Sequence, residues 1–385
     1  MIPYGRHNVT EEDIDAVVEV LRSDFLTQGA MVPEFEKAIE KYCNVKYAVA
    51  VNSATSALHV ACMALGLESG DWLWTSPITF VASANCGRYC GAQIDFVDID
   101  HMTWNLDVDV LSTKLKQAKV HGKLPKVLVA VHFTGQSCNM QEINRLSREY
   151  GFKVIEDASH AIGAKYLGGP VGCCEYSDIT VFSFHPVKII TTGEGGVATT
   201  NDSVLARKMS LLRSHGITRE YSEMMKPSKN PWNYEQNMLG YNYRMTDIHA
   251  ALGLSQMARL DDNIKLRQCI AARYIEAFSS SSLQLPFVPE NYLSSWHLFI
   301  VRLHKPLLRD KVFNQMRQAE IGVNMHYIPV YLQPYYANLG PDVGYNHNSF
   351  PESLHYYREA ITLPIFPNLE FTDQELIIST LKNII

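Results

Sequence analysis

Apolar residues at helical spacing open the chain. Thr10-Glu11-Glu12-Asp13 has the form of a capping box, and Ile14, Val17, Val18 and Leu21 then fall on one helical face. A second helix is expected over 32–42, with Phe35, Ile39 and Tyr42 aligned. From there the rhythm changes to short continuous apolar runs at 47–51, 72–74, 94–97, 127–131, 154–156, 179–182 and 196–199. Helical patterns over 55–65, 80–90, 108–117 and 139–150 separate several of them. Strands apolar on both faces, alternating with amphipathic helices, predict a layered α/β domain built on a mostly parallel sheet of seven strands.

After residue 201 the texture is different. A helix over 203–215 leads into a polar loop at 220–243 rich in Asn, Pro and Tyr. Two long helices follow at 246–260 and 264–279, then a strand at 297–303, a helix at 309–320, a strand at 322–327 and a terminal helix from 372. The expected organisation is a large domain over 1–255 and a smaller α+β domain over 256–385.

Composition narrows the functional classes. With 385 residues, 46% hydrophobic and 19% charged, the chain has ordinary globular values and enough length for a substantial core. Its net charge of −6, with Lys and Arg scattered, argues against nucleic acid as a partner. No window of eighteen apolar residues predicts a membrane span, and Met1–His7 does not resemble a signal segment, so a cytoplasmic protein is expected. The eight cysteines form no CxxC pair and are expected to be reduced thiols. Cys86 and Cys90 lie one helical turn apart without a further ligand at metal spacing, so no metal is expected.

Against that background one lysine stands out. Lys188 lies in Ser183-Phe184-His185-Pro186-Val187-Lys188, ahead of Thr191-Thr192-Gly193-Glu194-Gly195-Gly196. A lysine in a small, glycine-flanked and mostly uncharged loop is suited to lose its proton and attack a carbonyl. Asp157 ends an apolar run in Ile155-Glu156-Asp157-Ala158-Ser159-His160. Together they suggest a Schiff-base lysine for pyridoxal 5′-phosphate, with the aspartate keeping the pyridine nitrogen protonated. Asn52-Ser53-Ala54-Thr55-Ser56-Ala57-Leu58 follows a strand and opens a helix, where small residues and free N–H groups suit either a phosphate or a plain N-cap. Ser183 can add a hydroxyl to such a phosphate, and His160 can reach the cofactor or be structural. Phe80 can stack on the ring or belong to the core, and Glu194 can be a turn acid.

These segments, in this order, resemble the DegT/DnrJ/EryC1/StrS sugar aminotransferase family. The likeness covers essentially the whole chain, carried also by Phe25-Leu26-Thr27-Gln28-Gly29, Pro77–Ala82 and the run from Gly240 to Asp247. It implies a pyridoxal-phosphate enzyme of fold type I that acts as a homodimer with shared active sites. By the resemblance Lys188 is catalytic, Asp157 pairs with the pyridine nitrogen, Thr55 and Ser183 are phosphate ligands, and Ala54 binds the cofactor where the sugar site begins. Phe80 takes the ring-stacking position, and Asn242 reaches the phosphate of the neighbouring subunit. His160 stands where many members carry Gln, as it does in a subset that aminates C4 of the sugar. Arg213-Ser214-His215-Gly216 and His326-Tyr327-Ile328-Pro329-Val330 strengthen the likeness to that subset. The likeness implies L-glutamate as amino donor, a UDP-linked 4-keto-6-deoxy-N-acetyl hexose as acceptor, and Tyr4, Asp24, Phe25, Leu26, Thr27, His326, Tyr327, Ile328 and Pro329 lining the sugar site. A related dehydratase branch replaces the lysine by histidine, which Lys188 argues against.

Overall fold

The computed structural model of the chain describes residues 1–228, 230–304, 308–339 and 349–385. Its main sheet contains β1 (Tyr47–Val51), β2 (Trp72–Thr75), β3 (Gln93–Phe96), β4 (Val127–Val131), β5 (Lys153–Asp157), β6 (Ile179–Ser183) and β7 (Gly196–Thr200). Their spatial order is β1-β7-β6-β5-β4-β2-β3. The pairs among β3, β2, β4, β5 and β6 are parallel, while β7 runs antiparallel to both β6 and β1. All five residues of β4, β6 and β7 are buried. The expected layered α/β architecture with seven mostly parallel strands is therefore what the chain forms.

Helices cover both faces of this sheet. On one face α3 (Ala54–Ala64), α4 (Ala82–Tyr89) and α7 (Ser203–Leu212) bury Leu58, Ala61, Met209 and Leu212 against Val49, Leu73 and Val129. On the other, α2 (Met31–Cys43) and α8 (Asp247–Met257) pack Phe35, Ile39 and Ala250 against Ala50, Phe182 and Val197, while α5 (Val108–His121) and α6 (Met140–Tyr150) pack Leu115 and Ile143 against Leu128 and Val154. Full burial of side chains such as Phe35 is worth about 1.5–3 kcal/mol each, which is why these apolar faces fix the layers.

The C-terminal part of the chain has its own core around a three-stranded antiparallel sheet of Leu283–Gln284, Phe299–Leu303 and Ala360–Leu363. The long helix α9 (Leu260–Phe278) packs Ala271, Tyr274 and Phe278 into it. Residue 255, where the large domain is expected to end, lies inside α8.

Two local expectations are corrected. The strand expected at 322–327 is extended backbone with a single bridge, Asn324 to Thr362, and Ala360–Leu363 takes the ladder position beside Phe299–Leu303. Ile321 and Val323 still point into the core, but His326 and Tyr327 turn toward a cavity instead of continuing a strand. The second correction concerns α1 (Glu11–Arg22). Its Thr10–Asp13 capping box is present, yet Ile14 and Leu21 are exposed while Asp13 and Val20 are buried. Hydrogen bonds decide this helix's orientation, because Ser255, Gln256 and Arg259 all donate to the Asp13 carboxylate at 2.6–3.2 Å.

Candidate active site

Open α/β sheets bind ligands outside the carboxyl ends of their parallel strands. Here Val131, Asp157 and Ser183 are the last residues of β4, β5 and β6, and all three line one cavity of about 600 Å³. The antiparallel β7 begins at the same edge, where Gly196 pairs with Val51 at the end of β1. That reversal brings the start of α3 to the cavity, which Ser53, Ala54 and Thr55 also line.

The loop carrying Lys188 is closed by backbone bonds at its base. The Phe184 N–H donates to Gly195 O at 3.0 Å, and the Thr192 N–H to Phe184 O at 3.0 Å. The Thr191 hydroxyl donates to Phe184 O and accepts from the Gly193 N–H, both at 2.9 Å. Gly193, at φ 79°, adopts a left-handed conformation that glycine accepts without strain. Lys188 lines the cavity, and burial lowers its amine to about 8, against which the Asp157 carboxylate acts. A tenth or so of such a lysine is the free amine at pH 7. Covalent attachment of added pyridoxal phosphate to the cofactor-free protein should therefore speed up about tenfold per pH unit below pH 8, then level off. Attachment followed by absorbance gives the midpoint; a midpoint near the ordinary lysine value of 10.5 would contradict the assignment.

Alternation along β5 separates its two acids. Glu156 lies behind the cavity, where its Oε2 is 2.6 Å from His132 Nε2 and its Oε1 accepts from Thr180 at 3.1 Å. Burial opposes charge on His132, but bonds with Cys138 and Glu156 raise it to about 10. Asp157 is among the cavity-lining residues. Its Oδ1 accepts from the Ser159 N–H at 3.1 Å and hydroxyl at 2.5 Å, and its Oδ2 from the Ser83 hydroxyl at 2.7 Å.

A cluster of neutral histidines completes the wall. His160 and His297 have ring centroids 4.3 Å apart, and burial drives both well below the ordinary histidine range. Burial and the nearby Lys188 take His326 down to about 3. The Tyr327 hydroxyl lies 3.3 Å from His160 Nε2. The Nδ1 atoms of His160 and His297 are buried without a partner among the described residues. All three rings are thus uncharged at neutral pH.

Pyridoxal phosphate fits this arrangement. The first N–H groups of α3 have no intrahelical acceptor and face the cavity side. A side chain at Gly196 would meet Ala54 N at 2.5 Å, so glycine there keeps the cradle open. Ser53 caps the helix by accepting from the Ser56 N–H, and the Ser56 hydroxyl is taken by Asn52 at 2.7 Å. Thr55, not Ser56, is left to bind a phosphate. Phe80 lines the cavity with 58% of its surface exposed, an apolar face that a planar ring can cover.

The cavity thus gathers Tyr4, Ala54, Thr55, Phe80, Asp157, His160, Ser183, Lys188, His326 and Tyr327. It does not gather the rest of the expected set. Phe25 and Leu26 are exposed in the segment after α1, where Leu26 O accepts from the Asp247 N–H and Thr27 bridges Thr246, and Asp24 is their neighbour. Asn242 bridges Ser214, Ile328 is exposed, and Pro329 is buried beside it. Sequence reasoning passed over Ser83, Ser159 and His297. Only His297 carried a local signal, as a polar residue at the head of an apolar strand.

Residues 7–382 match the model of the DegT/DnrJ/EryC1/StrS aminotransferase family. The chain is 37% identical to the spore coat polysaccharide biosynthesis protein SpsC of Bacillus subtilis, over 100% of this chain and 97% of the relative. It is 36% identical to a UDP-4-amino-4,6-dideoxy-N-acetyl-β-L-altrosamine transaminase of Campylobacter jejuni, over 100% and 98%. The solved structure of Helicobacter pylori PseC, an aminotransferase involved in the biosynthesis of pseudoaminic acid, superposes with a TM-score of 0.88 at 30% identity, over 100% and 98%. Since the family match and the relatives both run essentially end to end, this chain belongs to the DegT/DnrJ/EryC1/StrS family and is a pyridoxal-phosphate-dependent sugar aminotransferase.

Proposed function

We propose that the enzyme moves the amino group of L-glutamate to C4 of a UDP-linked 4-keto-6-deoxy-N-acetyl hexose. The products are 2-oxoglutarate and UDP-4-amino-4,6-dideoxy-N-acetyl-β-L-altrosamine, for pseudaminic acid synthesis. The observation that carries the reading is one cavity holding a lysine poised near neutrality, a buried carboxylate and a helix N-terminus. The names of the Campylobacter and Helicobacter relatives support the sugar.

In this reading Ala54, Thr55 and Ser183 hold the phosphate of the cofactor, Asp157 faces its ring nitrogen, Phe80 covers the ring and His160 binds beside it. When bound, pyridoxal phosphate draws electrons from the donor's α-carbon and carries nitrogen between donor and acceptor. Lys188 Nζ removes the proton from the α-carbon of glutamate and, in the second half-reaction, delivers one to C4 of the sugar. Because a single amine serves one face of the cavity, it sets the configuration at C4. Tyr4, His326 and Tyr327 border the space left for the sugar. Asp24, Phe25, Leu26, Thr27, Ile328, Pro329 and Asn242 lie outside this cavity, and in a homodimer Asn242 would serve the neighbour's site.

The test is the second half-reaction. The enzyme is converted to its amine-loaded form and given, separately, UDP-linked 4-keto-6-deoxy-N-acetyl sugars of the L-arabino and D-xylo configurations. Rapid recovery of the starting absorbance with the L-arabino sugar is expected. Recovery only with the D-xylo sugar, or only with another nucleotide-linked keto sugar, overturns the assigned substrate and leaves the chemistry.

A further inference from the structure

Thr79 and Ser83 lie close to Phe80 in the sequence, and their hydroxyls meet behind the cavity-lining Asp157. Thr79 lies in the bend that precedes α4, and Ser83 is in the first turn of that helix. Both are buried, Thr79 at 3% and Ser83 at 1% exposed, and so is Asp157 at 4%. Ser83 Oγ lies 2.7 Å from Thr79 Oγ1 and 2.7 Å from Asp157 Oδ2.

Counting hydrogens gives this chain of contacts a direction. A serine hydroxyl has one hydrogen, and an ionised carboxylate has none to give. Ser83 therefore donates to Asp157 and must accept from Thr79. The result is a relay from the Thr79 hydroxyl to the Ser83 hydroxyl to the carboxylate, in which each donation polarises the next. Ser159 occupies the other carboxylate oxygen, so both oxygens are held before any ligand arrives.

We propose that Thr79 and Ser83 are positioning residues for Asp157. The relay fixes the carboxylate plane, so the negative charge it presents to the cofactor's ring nitrogen is held in one place. The inference rests on the proposed pairing of Asp157 with the ring nitrogen, and its test separates the two.

Four variants are compared with the parent enzyme: Ser83→Ala, Thr79→Val, Thr79→Ser and Asp157→Asn. Four quantities are read, namely the Kd for pyridoxal phosphate added to the cofactor-free protein, the pH midpoint of the bound cofactor's absorbance, and kcat and KM with glutamate. Ser83→Ala is expected to weaken cofactor binding and lower kcat by about tenfold or more each, with KM nearly unchanged. Ser83→Ala should also shift the absorbance midpoint, and Thr79→Val, which keeps the shape and removes the donor, should shift it in the same direction by less. Thr79→Ser, which keeps the donor, should restore the parent midpoint. A merely structural role would leave that midpoint in place. If Ser83→Ala does not fold, the Thr79 pair decides the matter by itself. Unchanged midpoints and kcat in Ser83→Ala and Thr79→Val, beside a strong effect of Asp157→Asn, overturn the relay. No effect of Asp157→Asn overturns the pairing beneath it and the relay with it.

Discussion

Lys188→Ala should lower turnover by roughly 10⁴-fold or more while the variant still binds the cofactor without a covalent bond. The argument is one of proton bookkeeping. Both half-reactions require a base and acid beside the reacting carbons, and the neighbouring histidines are ill suited to replace it. Burial has pushed His160, His297 and His326 far below neutrality, so they neither hold a proton nor take one readily at pH 7. Water is a much weaker base than the free amine of Lys188. Steady-state amination of the keto sugar measures the loss, and small primary amines added to the buffer should restore part of it. Multiple turnover by Lys188→Ala at the parent rate would remove the lysine from the mechanism.

Asp157→Asn carries the second largest effect, a fall in kcat of about 10²–10³-fold with cofactor bound at least tenfold more weakly. Removing one partner of a buried charge pair costs about 3–5 kcal/mol, because the charge left behind has lost its solvation as well as its counter-ion. The substitution is nearly isosteric, so shape is preserved. The hydrogen-bond pattern is not, since the new amide group turns donors toward positions where Ser83, Ser159 or the ring nitrogen already donates. Activity and cofactor titration read both consequences. A variant with unchanged kcat would show that Asp157 is a structural acid.

Much of the architecture was legible because it follows from side-chain periodicity. The apolar runs at 47–51 and 127–131 coincide with β1 and β4, since a strand buried on both faces admits little else. The same logic located Asp157 and Ser183 at strand ends, and hence at the cavity edge. What failed depended on partners distant in sequence. Nothing near Ile14 announces that Asp13 will bind Ser255, Gln256 and Arg259 and roll its helix so that Ile14 faces outward. The strand Ala360–Leu363 went unread, and one was expected at 322–327 in its place, for a similar reason. The run from Gly322 and the run from Ala360 look alike locally, and only the path of His326 into the cavity separates them. Ser83 and His297 were passed over because a lone Ser on a helix and a His before a strand have no chemistry until Asp157 and His160 stand next to them.

Mapping the lysine that carries the cofactor tests the central claim most directly. The loaded enzyme is treated with borohydride, digested and examined by mass spectrometry. The account predicts that the reduced cofactor is found on the peptide containing Lys188, and that Lys188→Ala yields no labelled peptide. Labelling of a different lysine, or of none in an active preparation, would contradict it.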